Sequence, residues 1–321
     1  MKLRLLQWLA CPQCHTAIRV RAAPLHDEVW EGELLCEQDH RFPIVRGVPR
    51  FLQPTQLSPI EHRSQAMFGY EWSWAADYNV ENFRSVVWPE TEALMGKLGL
   101  DVGCGAGRHL LAAVEAGAEM IGVDQSAAVD VVQQKIAAVP RAHVVQADLQ
   151  ALPFPRHTFD FLYSWGVLHH LREPEAAFHH VLPVLKPGGV VVVGLYQATW
   201  RKRLLEIPRT LTRRLPLRVA RGVAWFCAFL NYYGLIVPYR FLTHILGPQR
   251  MPHIHPHIRE YAKYSFHISH TDWFDRLTAP ITHWYTREEI EGWFRRAPHL
   301  QEISVRPIGD FWWRGQARMP C

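Results

Sequence analysis

The stretch Leu100-Asp101-Val102-Gly103-Cys104-Gly105-Ala106-Gly107-Arg108-His109 constrains the fold of this chain more than any other. Apolar residues run into an acid, glycines come next at alternating positions, and Leu110 to Val114 continue in helix-forming residues. This pattern predicts a strand, a tight turn and a helix. Glycine supplies positive φ and removes the Cβ that would hold a ligand off the backbone. A helix N-terminus behind such a turn offers unpaired N–H groups to the polar end of a ligand. On its own the turn is shared by many nucleotide-binding sites.

The order of the downstream segments narrows the choice. Met120-Ile121-Gly122-Val123-Asp124 is a second apolar strand ending in an acid, 23 residues beyond Asp101, where a carboxylate can accept from both ribose hydroxyls of a nucleoside. A third strand, His143 to Gln146, leads into Ala147-Asp148-Leu149, and a fourth, Phe159 to Tyr163, into Ser164-Trp165-Gly166-Val167-Leu168-His169-His170. Leu185-Lys186-Pro187-Gly188-Gly189 then precedes the apolar run Val190 to Leu195.

This set resembles the class I S-adenosylmethionine-dependent methyltransferases, over about residues 60–196 and again near the C-terminus. The resemblance implies an α/β, Rossmann-like sheet binding S-adenosylmethionine. It places Asp101 at the methionyl amino group and lets Gly103, Gly105 and Gly107 bring backbone to the cofactor. Asp124 takes the ribose with Gln125 beside it, Asp148 and Leu149 take the adenine, and Ser164 and Trp165 line the methyl-transfer end. His169 and His170 are the candidate general bases, required only if the acceptor must lose a proton. The aromatic segment Phe68-Gly69-Tyr70-Glu71-Trp72-Ser73-Trp74 either covers the cofactor or packs a lid onto the core. Cys104 reads as a small buried residue, since nothing near it lowers a thiol pKa.

Upstream, Cys11-Pro12-Gln13-Cys14 is a knuckle for one tetrahedral metal, and Cys36 and His40 complete a three-Cys, one-His zinc set. About 40 residues bury too little apolar surface to fold unaided, and a structural zinc supplies on the order of 10 kcal/mol. In similar ribbons fused to methyltransferases the second knuckle is C-x-x-C, which here would put the ligand at Asp39; either His40 or Asp39 is therefore the fourth ligand. Phe42 to Leu52 resembles the ribbon's closing strand, with Pro49, Pro54 and Pro59 punctuating the linker beyond. The expected organisation is a zinc ribbon at 1–52, the cofactor core at 53–199, a helical substrate or lid insertion at 200–280, and the last helix and strand pair of the core at 281–321. Thr286 and Glu289 form a capping box for that last helix.

A hydrophobic fraction of 48% fits a well-packed α/β protein, and a net charge of +5 excludes a polyanion binder by charge alone. The apolar run at the N-terminus is too short for an export signal, so the six cysteines point to a reducing cytoplasm. The insertion crowds Arg201, Lys202, Arg203, Arg209, Arg213, Arg214, Arg218 and Arg221 ahead of an uncharged run from Gly222 to Tyr239. That arrangement leads us to expect a small-molecule or lipid-like acceptor, with peripheral contact to the inner face of the membrane through 200–247. Asn231, Gly234 and Pro238 argue against a spanning helix. His253, His255 and His257 alternate and mark a further metal site or simply solvated histidines. RNA is the second acceptor class: the large-subunit ribosomal RNA guanine methyltransferases join a similar ribbon to this fold. The ribbon acids Asp27, Glu28, Glu31, Glu33, Glu37 and Asp39 speak against it by repelling phosphate. A non-catalytic adapter is the third reading, disfavoured by the complete motif set.

Overall fold

The structure, a computed structural model, describes residues 1–22, 27–52, 57–77, 82–88, 91–198, 209–247 and 256–321. Two compact units divide the chain. The first holds residues 1–72, 81–198 and 281–321, and the second holds 73–80 and 199–280.

In the first unit, β1 (Ile18–Arg21), β2 (Gly32–Cys36), β3 (Arg41–Val45) and β4 (Val48–Pro49) form an antiparallel sheet in that order. The closing segment expected as one strand is a hairpin. Arg46 and Gly47 at φ 53° and 75° reverse the chain between β3 and β4, the left-handed pair a tight hairpin turn demands. The larger sheet contains β5 (Leu98–Val102), β6 (Glu119–Asp124), β7 (Ala142–Gln146), β8 (Phe159–Trp165), β9 (Leu185–Tyr196), β10 (Gln301–Ile308) and β11 (Trp312–Arg318). Their order is β10-β11-β9-β8-β5-β6-β7, with β5 to β9 parallel and β11 antiparallel to both of its neighbours. All residues of β5 are buried, as a central parallel strand covered on both faces requires. This is the seven-stranded mixed sheet of a class I methyltransferase fold, with a zinc-ribbon region ahead of it. A 3₁₀ turn at Thr91–Leu94 precedes β5, and Gly96 at φ 71° turns the chain into that strand.

Helix α2 (Arg108–Glu115) follows the glycine turn as expected, α1 (Pro59–Trp74), α3 (Ala128–Ile136) and α4 (Pro174–Val181) join it, and the last helix (Arg287–Arg295) carries the expected Thr286–Glu289 capping box. One apolar core runs without a break from Met1, Leu5, Leu34, Phe42 and Phe51 of the ribbon to Leu100, Ile121, Val145 and Leu162 of the large sheet. Polar ties reinforce it: Lys2 Nζ donates to Ile136 O and Ala142 O, and Arg4 Nε donates to Glu119 Oε1 at 2.6 Å. The ribbon is thus built into the sheet's β7 side, where Phe51 N also donates to Gln146 O at 2.7 Å.

The second unit joins α5 (Leu217–Asn231), a π-turn at Tyr232–Ile236 and α6 (Val237–Leu246) into one long helix, followed by α7 (Pro256–Tyr261) and α8 (Phe266–Thr278). Ala220, Ala224 and Ala228 are fully buried on one stripe of α5, allowing close approach to α8. The arginines expected as a basic arm are in good part internal braces. Arg209 donates to Ala279 O at 2.8 Å and Arg213 to Pro280 O at 3.3 Å, while the Arg221 guanidinium lies 4.3 Å from the Trp74 ring. The first two occupy carbonyls just beyond the α8 C-terminus, where cations are favoured. The helix Leu217–Leu246 is long and apolar enough to cross a membrane by length and composition. Arg201, Lys202, Arg203, His253 and His255 lie outside the described residues.

Where the ribbon meets the sheet, His143 is 2% exposed, its Nε2 3.1 Å from Glu119 Oε1 and its ring 5.4 Å from that of Trp8. Burial lowers its pKa to about 4 from 6.5, so the native state resists its protonation. Its contribution is complete above pH 6.5 and drains away as pH falls toward 4, by about 3 kcal/mol at most. Chemical denaturation from pH 7 to pH 4 should show His143→Gln losing less stability across that window than the wild type. Equal pH slopes would remove His143 from the acid sensitivity.

Candidate functional site

Four ligand atoms gather in the ribbon. The Sγ atoms of Cys11, Cys14 and Cys36 and a ring nitrogen of His40 all lie within 4.8 Å of one another. His40 Nδ1 stands 3.5 Å from Cys11 Sγ and 3.3 Å from Cys36 Sγ, and the Cys14 and Cys36 sulfurs are 3.6 Å apart. Such separations suit thiolates and an imidazole around one zinc. The amides of Gln38 and His40 both donate to Cys36 Sγ at 3.3 Å, support that a metal-bound thiolate uses. Asp39 stays out of the group: at φ 59° it makes the turn that returns His40 to Cys36.

The second centre lies at the carboxyl ends of β5, β6 and β7. There Asp101, Asp124, Asp148 and Leu149 line one pocket with Gly103, Gly105, Gln125, Trp165 and His170. Gly103 sits at φ +79°, and a Cβ on it would come within 2.4 Å of Val167. Asp124 is half-buried with both oxygens engaged. Oδ2 accepts from Gly105 N at 3.0 Å, and Oδ1 accepts from Ser126 N at 2.8 Å and Ser126 Oγ at 2.7 Å. Each oxygen retains acceptor capacity for a further donor. Gly107, at φ 78°, immediately precedes α2 and packs against Val132 rather than lining the pocket.

Asp101 is 3% exposed, and its carboxyl lies beside the buried Tyr163 hydroxyl. Burial, with Asp124 adding to it, pushes its carboxyl up to about 7. A buried carboxylate at the mouth of a glycine turn fits an ammonium-bearing ligand, and Asp124 fits the ribose beyond it. The residues present therefore suit S-adenosylmethionine.

Ser164 and Trp165 fall inside β8 rather than after it, and strand alternation separates them. Ser164 is buried with its hydroxyl on Val102 O at 3.0 Å, away from the pocket, whereas Trp165 faces the pocket and stacks on Trp312 at 5.4 Å. The two histidines also part. His170 lines the pocket with Nδ1 2.8 Å from Ile281 O. His169 packs among the rings of His170, Tyr196 and Trp312. Of the aromatic segment on α1, Phe68 and Trp72 line the pocket. Sequence reasoning misses the cations Arg108 and Arg172 at the pocket and Gln146 behind it. Gln146 is the register partner of Asp124, so its place at the end of β7 is the signal that could have found it.

Residues 100–193 match the family model described as a methyltransferase domain, and residues 2–47 match the one described as Trm112p-like protein. A tRNA U34 carboxymethyltransferase of Idiomarina loihiensis is 30% identical over 178 residues, covering 53% of this chain and 52% of that protein. One from Tolumonas auensis is 33% identical over 125 residues, 37% of each chain. The chain thus spans about half the length, or less, of these curated relatives. The solved structure of an S-adenosylmethionine-dependent methyltransferase from Aquifex aeolicus overlays with a TM-score of 0.44 at 14% identity, over 77% of this chain and 97% of that one, too loose a match to carry the assignment.

The relatives' names overturn the expectation of a small-molecule or lipid-like acceptor. The preference over RNA rests on the ribbon's acids, and cations of the same segment offset their charge. Lys2, Arg4, Arg19, Arg21, Arg41, Arg46 and Arg50 outnumber them in the same segment. Glu33 faces Arg41 at 3.5 Å, and Glu31 accepts from Arg46 N at 3.0 Å.

The purified protein should carry about one zinc per chain, as a single tetrahedral site requires. His40→Ala should lower the zinc content measured by elemental analysis and Asp39→Ala should leave it intact; the reverse would transfer the fourth ligand to Asp39. With motif order, sheet topology, metal cluster and family matches in agreement, the chain carries a class I S-adenosylmethionine-dependent methyltransferase domain joined to an N-terminal Trm112p-like zinc ribbon.

Proposed function

We infer that this protein alkylates a nucleoside of tRNA from S-adenosylmethionine, with uridine at position 34 as the leading position. The observation that carries this reading is the group of curated relatives, named tRNA U34 carboxymethyltransferase, that match over about half the chain. The pocket supports it chemically: Phe68, Trp72 and Trp165 offer faces for a base, and Arg108 and Arg172 offer charge to phosphate.

The bound cofactor supplies an electrophilic carbon on a sulfonium. Asp101 holds its amino group, Asp124 its ribose hydroxyls, and Asp148 with Leu149 its adenine. Holding donor and acceptor in line accounts for most of the rate, since effective molarities reach about 10⁵ M or more. With Nδ1–H donated to Ile281 O, His170 presents Nε2 as its basic nitrogen and takes a proton where the acceptor must lose one. His169 orients the His170 ring by packing against it. The setting is the cytoplasm, where tRNA is found.

Incubation with bulk tRNA and isotopically labelled cofactor, followed by nucleoside mass spectrometry, should place label in a tRNA uridine. Label confined to lipid or small-metabolite fractions would overturn the reading. Asp124→Ala should weaken cofactor binding by about 2–3 kcal/mol in calorimetry, the scale of a charged hydrogen-bonding group.

The raised carboxyl of Asp101 gives a pH signature. Below about 7 the native protein holds this proton, and an incoming ammonium must displace it. S-adenosylhomocysteine should bind more tightly as pH rises through 7 and level off above it, with proton release on binding near the midpoint. Asp101→Asn should bind weakly and without that slope. A wild-type affinity independent of pH between 6 and 8 would contradict the role given to Asp101.

A further inference from the structure

Arg50 lies at the end of the ribbon, immediately after β4, and its guanidinium reaches into the cofactor domain. Nη2 pairs with Asp130 Oδ1 at 2.6 Å and Nη1 donates to Gln146 Oε1 at 3.1 Å. The two charged side chains are 14% and 29% exposed, so water screens the pair only partly. On its other side the Gln146 amide donates from Nε2 to Gln125 O at 3.0 Å and Ser126 O at 3.3 Å. Gln65 Nε2 also donates to Gln125 O, at 2.7 Å. Gln125 and Ser126 are the turn whose amide and hydroxyl fix Asp124 Oδ1.

The geometry points to Arg50 as a positioning residue that carries the ribbon's order through Gln146 to the carboxylate of Asp124, and so sets affinity for the adenosyl cofactor. The physical reason lies in the amide. A glutamine side chain has a donor end and an acceptor end, and its orientation follows the network around it. With a cation on its oxygen, the NH₂ group must face the two carbonyls of the turn. Without Arg50 the amide oxygen loses its partner and the side chain is held from one side only, so its two bonds to the turn weaken. Asp130, in the first turn of α3, holds the same guanidinium, so strand end, turn and following helix share one anchor. Backbone bonds keep the ribbon seated without this side chain: Phe51 N on Gln146 O at 2.7 Å, and Ala10 N on Pro153 O at 2.9 Å.

The inference rests on Asp124 holding the cofactor ribose, and the test separates the two. Zinc-loaded wild type, Arg50→Met, Gln146→Leu, Arg50→Met/Gln146→Leu and Asp124→Ala are titrated with S-adenosylhomocysteine. Amide exchange at Gly105 and Ser126 is followed in the cofactor-free proteins. Arg50→Met should raise Kd about tenfold, the effect expected for a charge-assisted hydrogen bond. It should speed exchange at Ser126 and raise KM for the cofactor while kcat at saturation holds, with zinc content unchanged. The double variant should bind no worse than Gln146→Leu alone, because both act through one path. Should Arg50→Met shed zinc or unfold, Gln146→Leu carries the test by itself, since the backbone pairing survives it. Arg50→Met with wild-type affinity and exchange, or losses that add in full in the double variant, would overturn the relay. Wild-type affinity in Asp124→Ala would overturn the ribose assignment beneath it.

Discussion

The clamp on the Asp124 carboxylate is the interaction on which the rest of this structure depends. One oxygen takes the Gly105 amide and the other the Ser126 amide and hydroxyl, so the tips of β5 and β6 are joined through one charged group. Backbone donors of this kind are charge-assisted and strong. They hold the glycine turn beside the buried carboxyl of Asp101 and aim both acids into one pocket. The glycines are required by contact as well as conformation: at Gly103 any side chain would collide with Val167. A turn this tight brings backbone to a ligand and leaves little room for drift.

The ribbon extends that order. A short chain segment organised by four metal-ligand atoms has little core of its own, yet here its apolar residues run into the core of the large sheet without a boundary. The polar ties cross the same junction, from Lys2 and Arg4 at one end to Arg50 at the other. Ribbon, apolar core and glycine turn therefore lie in one compact unit.

Much of this is legible in the sequence because the motifs encode backbone requirements. An acid after an apolar run, glycines at alternating positions and a second acid one strand later leave few alternatives to a Rossmann-like strand order. Cys11, Cys14 and Cys36 declare a metal knuckle for the same reason. Side-chain direction is not legible in that way. Ser164 and Trp165 are adjacent, and only the extension of β8 through both decides which one faces the pocket. His169 and His170 separate likewise, one into an aromatic cluster and one onto the pocket wall. Charge misleads for a related reason. Along the sequence the acids of the ribbon and the arginines of the insertion look like surface fields, but Glu31, Glu33, Arg209 and Arg213 have partners within their own units. A count of charges along a sequence describes a surface only after the internal pairs are removed.

The proposed placement has an adenosyl cofactor across the tips of β5, β6 and β7, held by Asp101, Asp124 and Asp148. A crystal structure of the zinc-loaded protein with S-adenosylhomocysteine decides it. The amino nitrogen should lie within hydrogen-bonding distance, about 3 Å, of Asp101, with both ribose hydroxyls on Asp124 and the adenine against Leu149 beside Asp148. Density for the ligand elsewhere, or a ribose turned away from Asp124, would contradict that placement.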